Sequence, residues 1–159
     1  MLSISKDEIK SLVPMADAIT SMRKAFSDYS NGDYIVPERM SMQIDDENAT
    51  VLIMPAYRNK GQYFITKVVT VFQYKIKNRS SLISARVYAF NSSSGEMVAT
   101  LDGDTITSLR TGAVSGLATM LLAKKDATVA AVFGTGAQAY TQIEAIINSR
   151  SIDRVFVYS

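Results

Sequence analysis

The segment Thr128-Val129-Ala130-Ala131-Val132-Phe133-Gly134-Thr135-Gly136-Ala137-Gln138-Ala139 switches from one structural period to another at its glycines. Its first half is a β-branched, apolar run that predicts a buried strand. Tyr140 to Asn148 then follows a helical pattern, and Arg154-Val155-Phe156-Val157-Tyr158 predicts a second strand. The turn matches G-x-G-x-x-A, a weak signal alone and a stronger one between a strand and a helix with another strand after it. Gly134 permits a sharp turn, Gly136 lets the backbone approach a pyrophosphate, and Ala139 lets the helix sit close to the strand. Free N–H groups at the helix start, with the positive end of its dipole, then face the phosphates. This context favours dinucleotide binding over an ordinary strand–glycine–helix connection. An acid about 20 residues further on normally takes the ribose 2′-hydroxyl of NAD. Ser159 stands there, and Asp153 comes too early, before the strand. A serine removes the charge that would repel a 2′-phosphate, so the cofactor is NAD or NADP.

Composition narrows the chemistry. The chain has 159 residues, 47% apolar and 20% charged, which is globular composition. A formal net charge of +2 argues against a nucleic-acid-coating surface. With no Cys, disulfides and thiolate metal sites are excluded; with no His, so are His-based triads and zinc sites. The expectation is no metal, and chemistry carried by Lys, Arg, acids, hydroxyls or a bound cofactor. No apolar run approaches the ~20 residues that span a bilayer, and Met1 to Leu12 lacks the pattern of a signal peptide. A soluble, cytoplasmic protein without nucleic-acid or membrane partners is expected.

Upstream of the glycine turn, Ser5-Lys6-Asp7-Glu8 has the form of a capping box and predicts a short helix. Pro14 suits the first turn of a second helix, with Met15, Ala18, Ile19, Met22, Ala25, Phe26 and Tyr29 on one face and Asn31-Gly32 as its stop. From Ile35 to Leu101 the pattern is that of strands: Val51–Met54 ended by Pro55, a turn at Asn59-Lys60-Gly61, Tyr63–Phe72, and a hairpin of Arg86–Phe90 and Glu96–Leu101 around Ser92-Ser93-Ser94-Gly95. Asp102-Gly103-Asp104 closes that region, and a long helix is predicted over Thr105–Lys124. Gly112 and Gly116 lie one turn apart in it, and each costs ~1 kcal/mol relative to Ala. Either something approaches that helix face closely, or the glycines are merely tolerated.

Two cations stand out. Alternation along Tyr63–Phe72 puts Lys67 on one face with Tyr63, Ile65, Val69 and Val71. A buried ammonium needs a partner or a lowered pKa. Lys67 is either a substrate-carboxylate or acid/base lysine, or a lysine that snorkels from an edge strand. Arg110 sits near the predicted start of the long helix, facing the positive end of the dipole, where an anionic partner would reverse an unfavourable interaction; the alternative is a solvated arginine. Arg39, after Pro37, attracts no comment alone.

Together these residues resemble the ornithine cyclodeaminase/mu-crystallin family over nearly the whole chain. The resemblance rests on Val36-Pro37-Glu38-Arg39, Met54-Pro55-Ala56, Thr66-Lys67-Val68-Val69-Thr70, Ser94-Gly95-Glu96, Ala99-Thr100-Leu101-Asp102-Gly103, Ile106-Thr107-x-x-Arg110-Thr111-x-Ala113 and the glycine turn. It implies an α/β protein in two parts: an α+β substrate-binding and dimerisation domain, here residues 1–126, then the first β-α-β unit of a Rossmann domain, here 127–159 and incomplete. Substrate would sit in the cleft between the two. It implies hydride exchange between an amino-acid carbon and a nicotinamide through an imine, and a homodimer formed through the first domain. By that resemblance Arg39 and Lys67 contact the substrate carboxylate, and Arg110 bridges substrate and cofactor. Lys67 and Arg110 are thus the catalytic candidates. Thr111, Gly134, Gly136, Ala137 and Gln138 match cofactor positions, and Ser84 matches a hydroxyl near the nicotinamide.

Ornithine-specific members carry a glutamate just before the Met-Pro pair, where this chain has Leu52. A small amino acid, its oxo acid or a cyclic imine is therefore expected in place of ornithine. Two strands and one helix cannot bury both faces of a sheet, so a truncated chain with little turnover and weak cofactor affinity of its own is expected. The alternatives are a non-enzymatic holder of NADPH and a small ligand, and a fragment that only dimerises.

Overall fold

The computed structural model describes residues 1–73 and 82–159. In chain order they form β1 (Leu2–Ile4), α1 (Lys6–Leu12), α2 (Met15–Ser30), β2 (Tyr34–Ile35), β3 (Met40–Ile44), β4 (Ala49–Arg58), β5 (Tyr63–Phe72), β6 (Ile83–Asn91), β7 (Met97–Asp102), α3 (Gly103–Leu122), β8 (Val129–Phe133), α4 (Ala139–Ser149) and β9 (Arg154–Tyr158). The fold is α/β with a mixed sheet. It divides into two compact units: Met1–Ile9 with Tyr29–Asp104, and Lys10–Asp28 with Thr105–Ser159. Among the described residues, no helix is long and apolar enough to cross a membrane.

The first unit is built on a seven-stranded sheet of order β1-β7-β6-β5-β4-β2, with β3 also on β4. Its centre is the antiparallel ladder β4–β5–β6, while β1 joins β7 in parallel. Side chains alternate between the faces of a strand. The ladder therefore sorts Val69, Ala85, Val87 and Ala99 onto one face, and all four are buried. Phe64 and Phe90 stack on the other face with ring centroids 4.9 Å apart.

Pro55 does not end its strand: β4 continues to Arg58, and Pro55 pairs with Thr66 of β5. The reason is parity. Asn59 N–H donates outward to Asp33 O at 2.8 Å, and Gln73 N–H donates inward to Asn48 O at 3.2 Å. Odd-numbered nitrogens of β4 therefore point away from β5. On that outer side β3 pairs only as far as Ile53, and β2 begins at Tyr57. Pro55 falls in the gap, where no N–H is required.

The turns follow their residues. Lys60 takes φ 60°, and Gly61 N–H donates to Arg58 O at 2.8 Å. In the β6–β7 hairpin, the Asn91 side chain accepts from the N–H groups of Ser93 and Ser94, and Gly95 takes φ 74°. Gly103 opens α3, which starts two residues earlier than the pattern predicted. A Cβ there would meet the backbone of Ala85 and Arg86 at 2.6–2.7 Å, so only glycine lets the chain leave β7 so close to β6.

The second unit packs helices around a core of Met15, Ala18, Ile19, Ala113, Leu117 and Ala145. The apolar face of α2 is buried only in its first half, and Phe26 and Tyr29 are exposed. The last turn of α3, Met120–Leu122, is exposed as well. β8 and β9 form a two-stranded parallel sheet, Val129 opposite Arg154 through Phe133 opposite Tyr158.

The capping box forms as its sequence predicts. Ser5 N–H and hydroxyl donate to Glu8 Oε2 at 2.8 and 2.6 Å, and Glu8 N–H donates back to Ser5 Oγ at 3.4 Å. The serine hydroxyl first, then its backbone N–H, hold the Glu8 carboxyl below its ordinary value. A lowered folded value means the cap contributes fully above the unfolded carboxyl pKa and is lost as pH falls through the folded one. A carboxyl-carbon NMR titration is expected to give Glu8 a midpoint below that of a free glutamate, and Ser5→Ala to move it back up. Equal midpoints in the two proteins would contradict the cap.

Candidate functional site

In the first unit the site is a row across the sheet. Lys67 lies mid-way along β5, half-buried, with Met54 of β4 on one side and Val87 of β6 on the other. Its face also holds Leu52 and the buried Val69. The β3–β4 ladder runs to Met40 opposite Ile53. Arg39 is exposed and immediately precedes Met40, the first residue of β3. Ser84 pairs with Thr70 on the opposite face, where Thr70 Oγ1 donates to Ser84 O at 3.5 Å. The sheet therefore sets Ser84 on the face opposite Lys67.

In the second unit the glycine turn joins β8 to α4. Gly134 takes φ 100°, which favours glycine, and its N–H donates to Tyr158 O at 2.7 Å, tying the turn to β9. Gly134, Gly136 and Ala137 are exposed. A Cβ added to Gly136 would meet nothing within 4 Å, so packing within the described chain does not require glycine there. Gln138 caps α4 with no side-chain hydrogen bond, and the first turn of α4 carries no acid. Gln138 Oε1 is buried without a hydrogen-bond donor. An open glycine beside a helix start with neither cap nor counter-charge suits an anionic group such as a pyrophosphate.

On α3, Arg110 is exposed and Thr111 donates its hydroxyl to Thr107 O at 2.6 Å. Because α3 begins at Gly103, Arg110 is two turns inside the helix. The dipole penalty fades within the first turn, so the argument that helix position demands an anion at Arg110 does not hold. The two helix glycines do have a packing reason. A Cβ on Gly112 would overlap the main-chain carbonyl oxygen of Thr141 on α4. One on Gly116 would stand 2.7 Å from Ile19 Cδ1 and 3.1 Å from Ser149 Oγ. The close approach is helix on helix.

The first unit thus sets a lysine on one face of a mixed sheet, and the second joins β8 to α4 by a glycine turn in a β-α-β unit of an α/β protein. The ornithine cyclodeaminase/mu-crystallin family model matches residues 2–159, and the chain belongs to that family. It is 36% identical over its whole length to a Delta(1)-pyrroline-2-carboxylate reductase of Bacillus cereus, covering 49% of that protein. It is 28% identical over 97% of its length to the ketimine reductase mu-crystallin of Rattus norvegicus, also covering 49%. Among solved structures, Thermococcus litoralis Delta(1)-pyrroline-2-carboxylate reductase, in complex with NADH and L-proline, superposes with a TM-score of 0.90 at 34% identity, over 99% of this chain and 49% of that one. An archaeal alanine dehydrogenase dimer with bound NAD gives 0.88 at 28% identity, over 99% and 48%. The chain spans about half the length of the curated relatives it matches.

Sequence reading passed over the Gly112–Thr141 contact partner and Arg150; a cation just past a helix end was the only local signal for the latter. The two kinds of glycine are separable by experiment. Gly112→Ala is expected to lower stability by about 1–3 kcal/mol through overpacking, and Gly136→Ala to change it by less than about 0.5 kcal/mol. Urea unfolding of both variants measures this; equal losses would contradict the assigned packing.

Proposed function

We propose that the protein to which this sequence corresponds is an NAD(P)-dependent reductase of a small cyclic imine, or of the imine of a small 2-oxo acid. The observation that supports this reading is Lys67 half-buried on the sheet face that holds Leu52 and Val69. A substrate carboxylate is the group that a lysine and an arginine would hold together. Lys67 holds the carboxylate and carries a proton beside the imine nitrogen, while Arg39 fixes its second oxygen. In the other unit, Gly134, Gly136, Ala137 and Gln138 hold the pyrophosphate, with Arg110 and Thr111 serving substrate and cofactor from α3. A nicotinamide dinucleotide bound at that turn would supply the two-electron reduction. Residues 1–126 act as the substrate and dimerisation part and 127–159 as the start of the cofactor part. Leu52, on the same face as Lys67, supports an apolar substrate such as Δ1-pyrroline-2-carboxylate over ornithine. A homodimer through the first unit is supported by Met40, Met42 and Ile44. These share one face of β3, each at least 36% exposed, and leave apolar surface for a second copy.

Absorbance of NADH and NADPH, followed with Δ1-pyrroline-2-carboxylate, pyruvate plus ammonia, and ornithine, tests the reading. Turnover of the cyclic imine and none of ornithine is expected. Cofactor binding with no turnover of any of them would favour a ligand-holding protein. Lys67→Met is expected to lower kcat/KM on the order of 100-fold or more, as for loss of a charge-stabilising donor, with the cofactor Kd unchanged. Unaltered kinetics would remove Lys67 from the site.

A further inference from the structure

Arg150, half-buried just past α4, spends its whole guanidinium on main-chain carbonyls. Nε donates to Lys124 O at 2.9 Å, Nη2 to Ala123 O at 2.8 Å and Met120 O at 3.0 Å, and Nη1 to Ser149 O at 2.7 Å. Three of these acceptors lie at or just beyond the end of α3, whose last turn has no basic residue of its own. A planar fork of donors can serve several carbonyls at once, which an ammonium cannot match. Nearer its start, α4 touches α3 where Gly112 meets the Thr141 carbonyl. Midway, Ala113 and Leu117 of α3 share a buried core with Ala145 of α4, and the far ends of the two helices are left to polar attachments. Ser149 Oγ lies 2.9 Å from Gly116 O and 2.7 Å from Ala145 O, and its single proton serves one at a time, so Arg150 is the stronger polar attachment. We propose that Arg150 is a positioning residue. By clamping the end of α3 to α4 it sets the direction in which the first turn of α4 aims its N–H groups, relative to Arg110 and Thr111 on α3. Binding geometry of this kind tolerates about 10–20°. The functional consequence rests on the cofactor reading of the turn.

Amide hydrogen exchange tests the clamp without any cofactor, and amide-shift titration with NADH tests the cofactor reading separately. In Arg150→Met, exchange at Gly134, Ala139 and Gln142 is expected to rise at least tenfold, with α2 amides such as Ile19 unchanged. The NADH Kd is expected to rise by a similar factor. Arg150→Lys should fall between the two, and is read the same way if Arg150→Met does not fold. An increase confined to residues 118–126 would make Arg150 a plain helix cap and overturn the proposal. So would a uniform increase that includes α2. If the turn loosens as expected, yet NADH moves no amide of Gly134–Ala139 in the parent chain, the clamp stands and the cofactor reading fails.

Discussion

A main-chain contact with no side chain between its partners governs the helical unit. Where α3 meets α4, Gly112 leaves room for the carbonyl of Thr141, and no other residue type fits that spacing. The rest of the unit follows from this approach distance. Ala113 and Ala145 are completely buried because larger side chains would push the helices apart again. Leu117, Met15 and Ile19 fill the flanks, where space widens. The glycines weaken α3 as an isolated helix, and packing against α4 offsets that cost. Since α4 is also the helix that the glycine turn feeds, the same contact ties the aim of the turn to the helix carrying Arg110 and Thr111.

The sheet unit obeys a different constraint, the two-residue alternation of β-strands. Once Val69 and Val87 are committed to the buried face, Lys67 shares it. A cation so placed costs free energy unless it is paired. The register of β4 then puts Met54 beside it and Leu52 on the same face.

Long periodic stretches were legible in the sequence. The bounds of β5 and β9 agree with their residue patterns, and the Ser5–Glu8 box and the Asn91–Gly95 hairpin loop carry their own local chemistry. Features that depend on a distant partner were not. β1 is a three-residue strand with no pattern of its own, and only its pairing with β7 defines it. Pro55 was misleading because its harmlessness depends on which side of β4 lacks a neighbour. Arg110 was misplaced relative to its helix because α3 begins at Gly103, for a reason that lies in β6. Of the candidate site, the placement of Lys67 on an apolar face could be read from alternation. The placement of Ser84 on the face opposite Lys67 follows from counting across the β5–β6 ladder. The individual roles rested on resemblance, since spacing alone says nothing of substrate.

The gap at Pro55 has a consequence for solubility. Exposed strand edges recruit foreign strands through rows of free donors and acceptors, and a long uninterrupted edge is an aggregation hazard. On the outer side of β4 that row is already occupied by β3 up to Ile53 and by β2 from Tyr57. The short interval between them offers an imino ring where an intruding carbonyl would seek a proton. Proline there leaves no donor unmet in the interval that residues 36–39 bridge between β2 and β3, so the strand carries no unsatisfied amide at its weakest-paired point.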